Sequence, residues 1–332
     1  MILGTVELGM AYGINNTQGK PSLEKSFDVL DTAWRGGIRE LDTASAYGDS
    51  ETIIGMFQSE RNIQFRTDTK LPVHLETLLT NNKQQTTNNK QQTTNNKQQT
   101  TNNKQQTTNN KQQTTNNKQQ TTIRQAFDCS CERLKSDKIH LLYLHSFQQC
   151  KDDSVMTTLC ELKDEGRVRY TGVSIYEPSE MEYILANLDG VDVIQFPFSV
   201  MDNARWKKND LLVRAKESGK LLYVRSIYLQ GLIFRTADDS LVHRMGAEKY
   251  ISGLRRIALR EGLTAQELAC LYVRGNHEID EIILGCESPS EVSENLSILD
   301  SGKTLSEESA KEIEFVMRDI PQSIIDPRKW SK

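Results

Sequence analysis

Four side chains in this 332-residue chain are of types that together could carry acid–base chemistry: Asp42, Tyr47, Lys70 and His145. Asp42 closes the segment Ile38-Arg39-Glu40-Leu41-Asp42, and Tyr47 follows in Ser45-Ala46-Tyr47-Gly48. Lys70 ends Phe65-Arg66-Thr67-Asp68-Thr69-Lys70, and His145 ends Leu141-Leu142-Tyr143-Leu144-His145. A phenol with a pKa of about 10 is a weak donor at neutral pH, and bringing it to 7 takes about 4 kcal/mol of preference for the phenolate. A neighbouring lysine ammonium could supply much of that, and a carboxylate would keep the buried ammonium charged. A histidine beside them could donate to a substrate carbonyl oxygen. Each residue also has a plain structural reading: a helix cap, a turn residue, a surface ion pair, a satisfied strand-end imidazole. What favours chemistry is their conjunction, since three of them terminate what read as different apolar strands. A metal site is a weaker rival, because His140 and His145 are five apart and so face opposite sides of one strand.

The elements that must position these residues follow from periodicity. Candidate strands cover 2–6, 38–43, 65–70, 139–145, 169–174, 192–197, 221–226 and 281–285, with helical patterns such as 154–165, 179–189 and 209–218 between them. Ser22 precedes a helix with Leu23, Phe27, Leu30 and Ala33 along one face, stopped at Gly36-Gly37. Runs such as Leu221-Leu222-Tyr223-Val224 are apolar throughout, as expected of strands buried on both faces of a parallel sheet. Eight strand–helix units predict an α/β fold, a (β/α)8 TIM barrel in one domain spanning 1–332, with its site at the C-terminal ends of the strands. A doubly wound fold would want a Gly-x-Gly-x-x-Gly turn, which is absent. Gly19-Lys20 fails as a phosphate loop because Pro21 stands where a Ser or Thr is required.

Residues 81–122 are six perfect copies of Asn-Asn-Lys-Gln-Gln-Thr-Thr, an inserted low-complexity segment after the third strand unit. With no apolar residue for any a or d position it is no coiled coil, and its composition predicts disorder. Setting it aside raises the hydrophobic share from 36% to roughly 41% of the remaining 290 residues, an ordinary globular value, and takes the net charge from −4 to −10. So acidic a body argues against nucleic acid as a partner. No apolar run is long enough to span a membrane, and the start shows no secretion signal. The six cysteines, Cys129, Cys131, Cys150, Cys160, Cys270 and Cys286, are scattered without zinc spacing, which predicts a reduced, cytoplasmic protein with no metal.

Asp42-Thr43-Ala44-x-x-Tyr47-Gly48, the strand-end Lys70 and the strand-end His145 resemble the catalytic tetrad of the aldo-keto reductases, over nearly the whole chain from Leu3-Gly4-Thr5 to Glu294-Asn295. The separation of Lys70 from His145 matches that family once the repeat is removed. The resemblance implies an oxidoreductase that moves a hydride from NADPH or NADH to an aldehyde or ketone, with Tyr47 as general acid. By position it assigns Ser174 and Gln195 to the nicotinamide carboxamide, and Arg225, Ser226, Leu229 and Gly231 to the nicotinamide and pyrophosphate. Gly285, Cys286, Glu294 and Asn295 fall at the adenosine end. Two positions depart from the family pattern. Ile175 stands where Asn is usual, and Gly285, Cys286 and Glu291 stand where many members hold the 2′-phosphate of NADP with Lys, Ser or Thr, and Arg. A carboxylate there repels that phosphate, so NADH or dual use is expected beside the family's usual NADPH. The Gly4-Thr5-Val6-Glu7-Leu8-Gly9-x-x-Tyr12-Gly13-Ile14 start resembles bacterial members associated with surface sugars, which implies a sugar-derived carbonyl. A cofactor-binding regulatory or scaffold protein of the same fold is the alternative.

Overall fold

The computed structural model describes residues 1–73 and 120–330. Eight parallel strands pair in chain order and close into a barrel. They are β1 (Ile2–Gly4), β2 (Glu40–Asp42), β3 (Arg66–Leu71) and β4 (Ile139–Leu144), then β5 (Val168–Ser174), β6 (Val193–Pro197), β7 (Leu221–Arg225) and β8 (Glu281–Gly285). Helices alternate with them on the outside, among them Leu23–Arg35, Ser50–Arg61, Asp153–Asp164, Pro178–Asn187 and Pro289–Asp300. The (β/α)8 architecture expected from the sequence is therefore the one observed.

Local chemistry accounts for the helix starts. Ser22 Oγ accepts the Lys25 amide at 3.2 Å and opens Leu23–Arg35, a cap worth about 1 kcal/mol. That helix buries Phe27, Val29, Leu30 and Ala33, whereas Leu23 stays 43% exposed. The apolar stripe expected to include Leu23 begins one turn later. Thr264 and Glu267 form a reciprocal capping box at the start of Ala265–Arg274.

Inside the barrel, Ile2, Leu141, Tyr143, Val193, Tyr223 and Ile283 form a small apolar plug, separate from the larger core between strands and helices. β3 differs from the apolar strand expected. It reads Arg-Thr-Asp-Thr-Lys-Leu, and every residue but the first is buried. Two of its polar side chains are paired on opposite sides: Thr69 Oγ1 donates to Glu51 at 2.6 Å on the helix Ser50–Arg61, and Lys70 points the other way, to Asp42. β3 also runs one residue past Lys70, to Leu71.

The expected disorder of the repeat lies outside the described residues, apart from its last three positions. Those three depart from that reading. Gln120, Thr121 and Thr122 belong to a helix described over 120–134, and Thr122 is buried with Ile123 against the core. The six cysteines are all unpaired, as expected, and among the described residues no helix is long and apolar enough to cross a membrane.

Candidate active site

The C-terminal ends of the strands open into a cavity of about 590 Å³, within the range of small-molecule sites. Asp42, Tyr47 and His145 lie in its wall, and Lys70 sits directly behind Asp42, only 1% exposed. Lys70 Nζ donates to both Asp42 carboxylate oxygens at 2.6 Å and to the Thr43 carbonyl at 3.0 Å. Gln195 Nε2 donates to the same Asp42 Oδ1 at 2.7 Å. Asp42 is thus held by two donors from opposite sides of the barrel. Its backbone carbonyl is fixed too, accepting from Thr5 N at 3.0 Å and Thr5 Oγ1 at 2.9 Å.

Tyr47 sits in the turn that leads into Ser50–Arg61 and packs edge-on to His145, with ring centroids 6.0 Å apart at 83°. The turn is pressed against the loop after β1: a methyl group on Gly9 would come 1.7 Å from the Tyr47 carbonyl oxygen, so no larger residue fits without moving the tyrosine. A buried hydroxyl chain secures the same junction, from Thr43 Oγ1 to Ser50 Oγ (3.0 Å) and on to Thr5 Oγ1 (2.7 Å).

The electrostatics differ from the expectation in two respects: Lys70 makes no hydrogen bond to Tyr47, and the phenol's pKa is raised rather than lowered. An ammonium has three protons, and Lys70 gives all of them to Asp42 and Thr43. Its nitrogen lies 5.2 Å from the Tyr47 ring centre, so it acts on the phenol through space and without a hydrogen bond. Burial, reinforced by the Asp42 carboxylate and only partly opposed by Arg225, holds the Tyr47 phenol well above its ordinary pKa. Burial also lowers the Lys70 pKa, with Asp42 working against the shift. His145 is pushed down to about 3 by burial and by the positive charges of Lys70 and Arg225. It is therefore neutral at physiological pH, and its Nδ1 is buried without a partner.

Of the remaining residues singled out in the sequence, Ser174, Arg225, Ser226 and Gly231 line the same cavity, as do Gly285, Glu294 and Asn295. Gln195 lies behind Asp42 with its Oε1 buried and unpartnered. Leu229 and Cys286 are buried supports. The Arg225 guanidinium donates to the Ile175 carbonyl at 3.2 Å and lies 4.4 Å over the Tyr176 ring. Ser226, Leu229, Gln230 and Gly231 all have positive φ, in a tight loop where the Leu229 amide donates to the Ser226 carbonyl at 2.8 Å and the Gly231 amide to the Tyr228 carbonyl at 2.9 Å. Asn295 is largely engaged within the protein: its Oδ1 accepts from Tyr228 at 2.5 Å and Gln266 at 3.0 Å, and its Nδ2 faces Cys286 Sγ at 3.4 Å.

Sequence reasoning passed over Glu7 and Glu287. Glu7 is half-buried on the cavity wall beside Gly285, where an added methyl would lie 2.1 Å from its Oε1. Burial, reinforced by Glu287, Glu291 and Asp42, pushes its carboxyl up to about 8, and its Oε2 has no hydrogen-bond partner. Loops following barrel strands line the mouth, and that rule applied to Thr5-Val6-Glu7 was the available signal. Glu291 is tied down locally, its Oε2 accepting the Glu287 amide at 2.7 Å and its own amide donating to Ser288 Oγ at 3.3 Å.

Similarity to known proteins agrees with this geometry. Among curated proteins, the chain is 25% identical over 210 residues to L-galactose dehydrogenase of Arabidopsis thaliana, covering 60% of this chain and 65% of that protein. It is 26% identical over 216 residues to the NADH-specific methylglyoxal reductase of Escherichia coli, covering 58% and 65%. The matches thus span just under two-thirds of these relatives' lengths. Among solved structures, the aldo-keto reductase AKR11C1 of Bacillus halodurans superposes with a TM-score of 0.69 at 18% identity, over 98% of this chain and 95% of that one. The glycerol dehydrogenase AKR11B4 of Gluconobacter oxydans gives 0.65 at 19%, over 95% and 90%. The profile of the Aldo/keto reductase family matches residues 1–317, and the chain belongs to that family.

Proposed function

We propose that the chain is an NAD(P)H-dependent reductase of small aldehydes or ketones, with Tyr47 as the proton donor. The observation that carries this reading is the placement of Tyr47 and the neutral His145 edge to edge on the cavity wall, above an Asp42 fixed by Lys70 and Gln195. The cavity also fits a nicotinamide dinucleotide. Ser174 offers a polar atom for a carboxamide at the cavity wall, with Gln195 Oε1 unpartnered behind Asp42, and Arg225 offers a cation at the wall for a pyrophosphate. When bound, the cofactor supplies the hydride that reduces the carbonyl carbon.

The protein's own residues complete the reaction. His145 donates a hydrogen bond from its neutral imidazole and orients the carbonyl oxygen. Tyr47 transfers its phenolic proton to that oxygen as it becomes an alkoxide, giving the alcohol. Because an alkoxide is more basic than a phenolate, even a phenol with an elevated pKa is a competent acid at this step. Lys70 and Arg225 then stabilise the phenolate through space until it is reprotonated. The substrate class is small and polar. Tyr12, Asn15, Asn16 and Gln230 line the outer cavity, and the relatives named above act, by their names, on galactose, methylglyoxal and glycerol. A sugar-derived carbonyl suits this site.

The test is oxidation of NADH and NADPH, followed by absorbance, with a panel of small aldehydes including a hydroxylated one. Tyr47→Phe should lower kcat by about 100-fold or more with cofactor affinity preserved, the usual contribution of a positioned general acid. Equal turnover by Tyr47→Phe would remove the role given to Tyr47. Cofactor binding without turnover across the panel would favour the regulatory reading.

A further inference from the structure

We infer that Glu40, Asp68 and His140 form a divalent metal site at the floor of the barrel, distinct from the cavity at its mouth. The three side chains come from adjacent strands, β2, β3 and β4, and their ligand atoms all lie within 4.8 Å of one another. His140 Nδ1 is 3.0 Å from Asp68 Oδ1 and 3.7 Å from Glu40 Oε2. Donors held about 2.0–2.2 Å from a tetrahedral ion stand about 3.3–3.6 Å apart, and both His140 separations lie within a few tenths of an ångström of that range.

A second observation points to a ligand. Glu40 Oε1 and Asp68 Oδ2 are buried in side chains 7% and 0% exposed and take no N–H or hydroxyl donor, so beyond Arg66 and His140 the two carboxyl groups have only each other to bond. Two carboxylates this close and this buried need positive charge between them or a proton shared by them. Arg66 supplies only a partial answer: it reaches Glu40 Oε2 at 2.9 Å from a side chain 57% exposed, and the oxygens that lack such a donor lie elsewhere. Lys70 is already committed to Asp42 and Thr43. A divalent ion would neutralise both carboxylates at once.

The donor set also restricts the ion. Two carboxylates and one imidazole suit Zn²⁺, Co²⁺ or Mn²⁺, whereas Mg²⁺ and Ca²⁺ prefer oxygen alone. Three protein ligands leave a fourth position for water, and His140, 11% exposed, marks the edge by which an ion enters. Glu40 and Asp68 lie two residues before Asp42 and Lys70 on the same inward faces, so the ion would brace the layer directly beneath the residues assigned to catalysis.

The full chain, stripped with chelator and desalted, can be titrated with ZnCl₂ by calorimetry and with CoCl₂ by visible absorbance. We expect one equivalent of each ion to bind, without the thiolate-to-cobalt charge-transfer band that binding at the exposed Cys129 would give, and without displacement by excess MgCl₂. His140→Ala should abolish this binding and Glu40→Gln should weaken it at least tenfold. No stoichiometric uptake of either ion by the wild type would overturn the proposal, showing that the carboxyls share a proton instead. Uptake with a thiolate band, or uptake undiminished in both variants, would overturn it equally. The wild-type titrations alone can refute it, so a variant that fails to fold does not shelter it. None of these readouts depends on reductase activity, so the site can stand or fall apart from the proposed function.

Discussion

Lys70 donates two 2.6 Å hydrogen bonds to Asp42 in surroundings that expose almost nothing of either. Removing one member of such a pair leaves an uncompensated buried charge, at a cost of about 3–5 kcal/mol, so Lys70 is a structural as well as an electrostatic necessity. His145 has the opposite relation to its surroundings. Its pKa falls from 6.5 to about 3 on burial beside Lys70 and Arg225, so the folded protein binds its proton less readily than the unfolded chain does. The sign follows: the unfolded state gains a proton below pH 6.5 that the native state refuses, and stability declines as pH falls from there toward about 3. For one group the slope reaches at most about 1.4 kcal/mol per pH unit. Urea midpoints measured from neutral to mildly acidic pH should therefore fall less steeply in His145→Gln than in the wild type. Parallel slopes would mean that the native protein protonates His145 without penalty.

At the level of elements, the start of the helix Pro289–Asp300 bears on cofactor choice. A helix N-terminus ordinarily attracts anions. Here that end is already occupied by Ser288 Oγ and by the Glu291 carboxylate on the Glu287 amide. Glu287 is held alongside by Asn16 Nδ2 at 3.1 Å, and Glu7 lies behind both. A 2′-phosphate entering this end of the cavity would meet carboxylates, while a ribose diol could donate to them. We expect a lower KM for NADH than for NADPH, with Glu291→Ala narrowing the ratio roughly tenfold, the scale of one like-charge juxtaposition. A strong preference for NADPH in the wild type would remove Glu291 from this role. Most elements were readable because their strands are apolar runs between turn residues; β8, expected over 281–285, is found over Glu281–Gly285, whereas β1, expected over 2–6, ends at Gly4. What escaped were properties set by neighbours distant in sequence. Lys70 looked free to touch Tyr47 until the Thr43 carbonyl took its third proton. His140 read as a residue facing away from His145, and its meeting with Glu40 and Asp68 depends on the register of three strands.

For the whole molecule, the question is how a 42-residue polar repeat coexists with a closed barrel. The described chain leaves the barrel just after β3, at the end where the cavity opens, and is described again from 120 onward in the helix that precedes β4. Parallel pairing of β3 with β4, from Asp68 opposite Leu141 to Leu71 opposite Leu144, is complete regardless of how long the connection is. Loop-closure entropy grows only slowly with length, by about 0.6 kcal/mol per doubling, so the barrel tolerates the extra residues at small thermodynamic cost. The copies are identical in sequence but not equivalent in position, because the last one ends in a helix whose Thr122 is 1% exposed. A deletion of 81–115 removes five copies and spares that packing, whereas a deletion through 122 also takes away the start of a core helix. We therefore expect the shorter deletion to keep the melting temperature and kcat/KM for a small aldehyde within about twofold, and the longer one to lower stability by roughly 1–3 kcal/mol, as loss of buried contacts does. Comparing small and bulky aldehydes in the shorter variant tests access to the site. A gain confined to bulky substrates would show that the repeat obstructs the mouth, and a large loss of activity toward small ones would show that it contributes to the site.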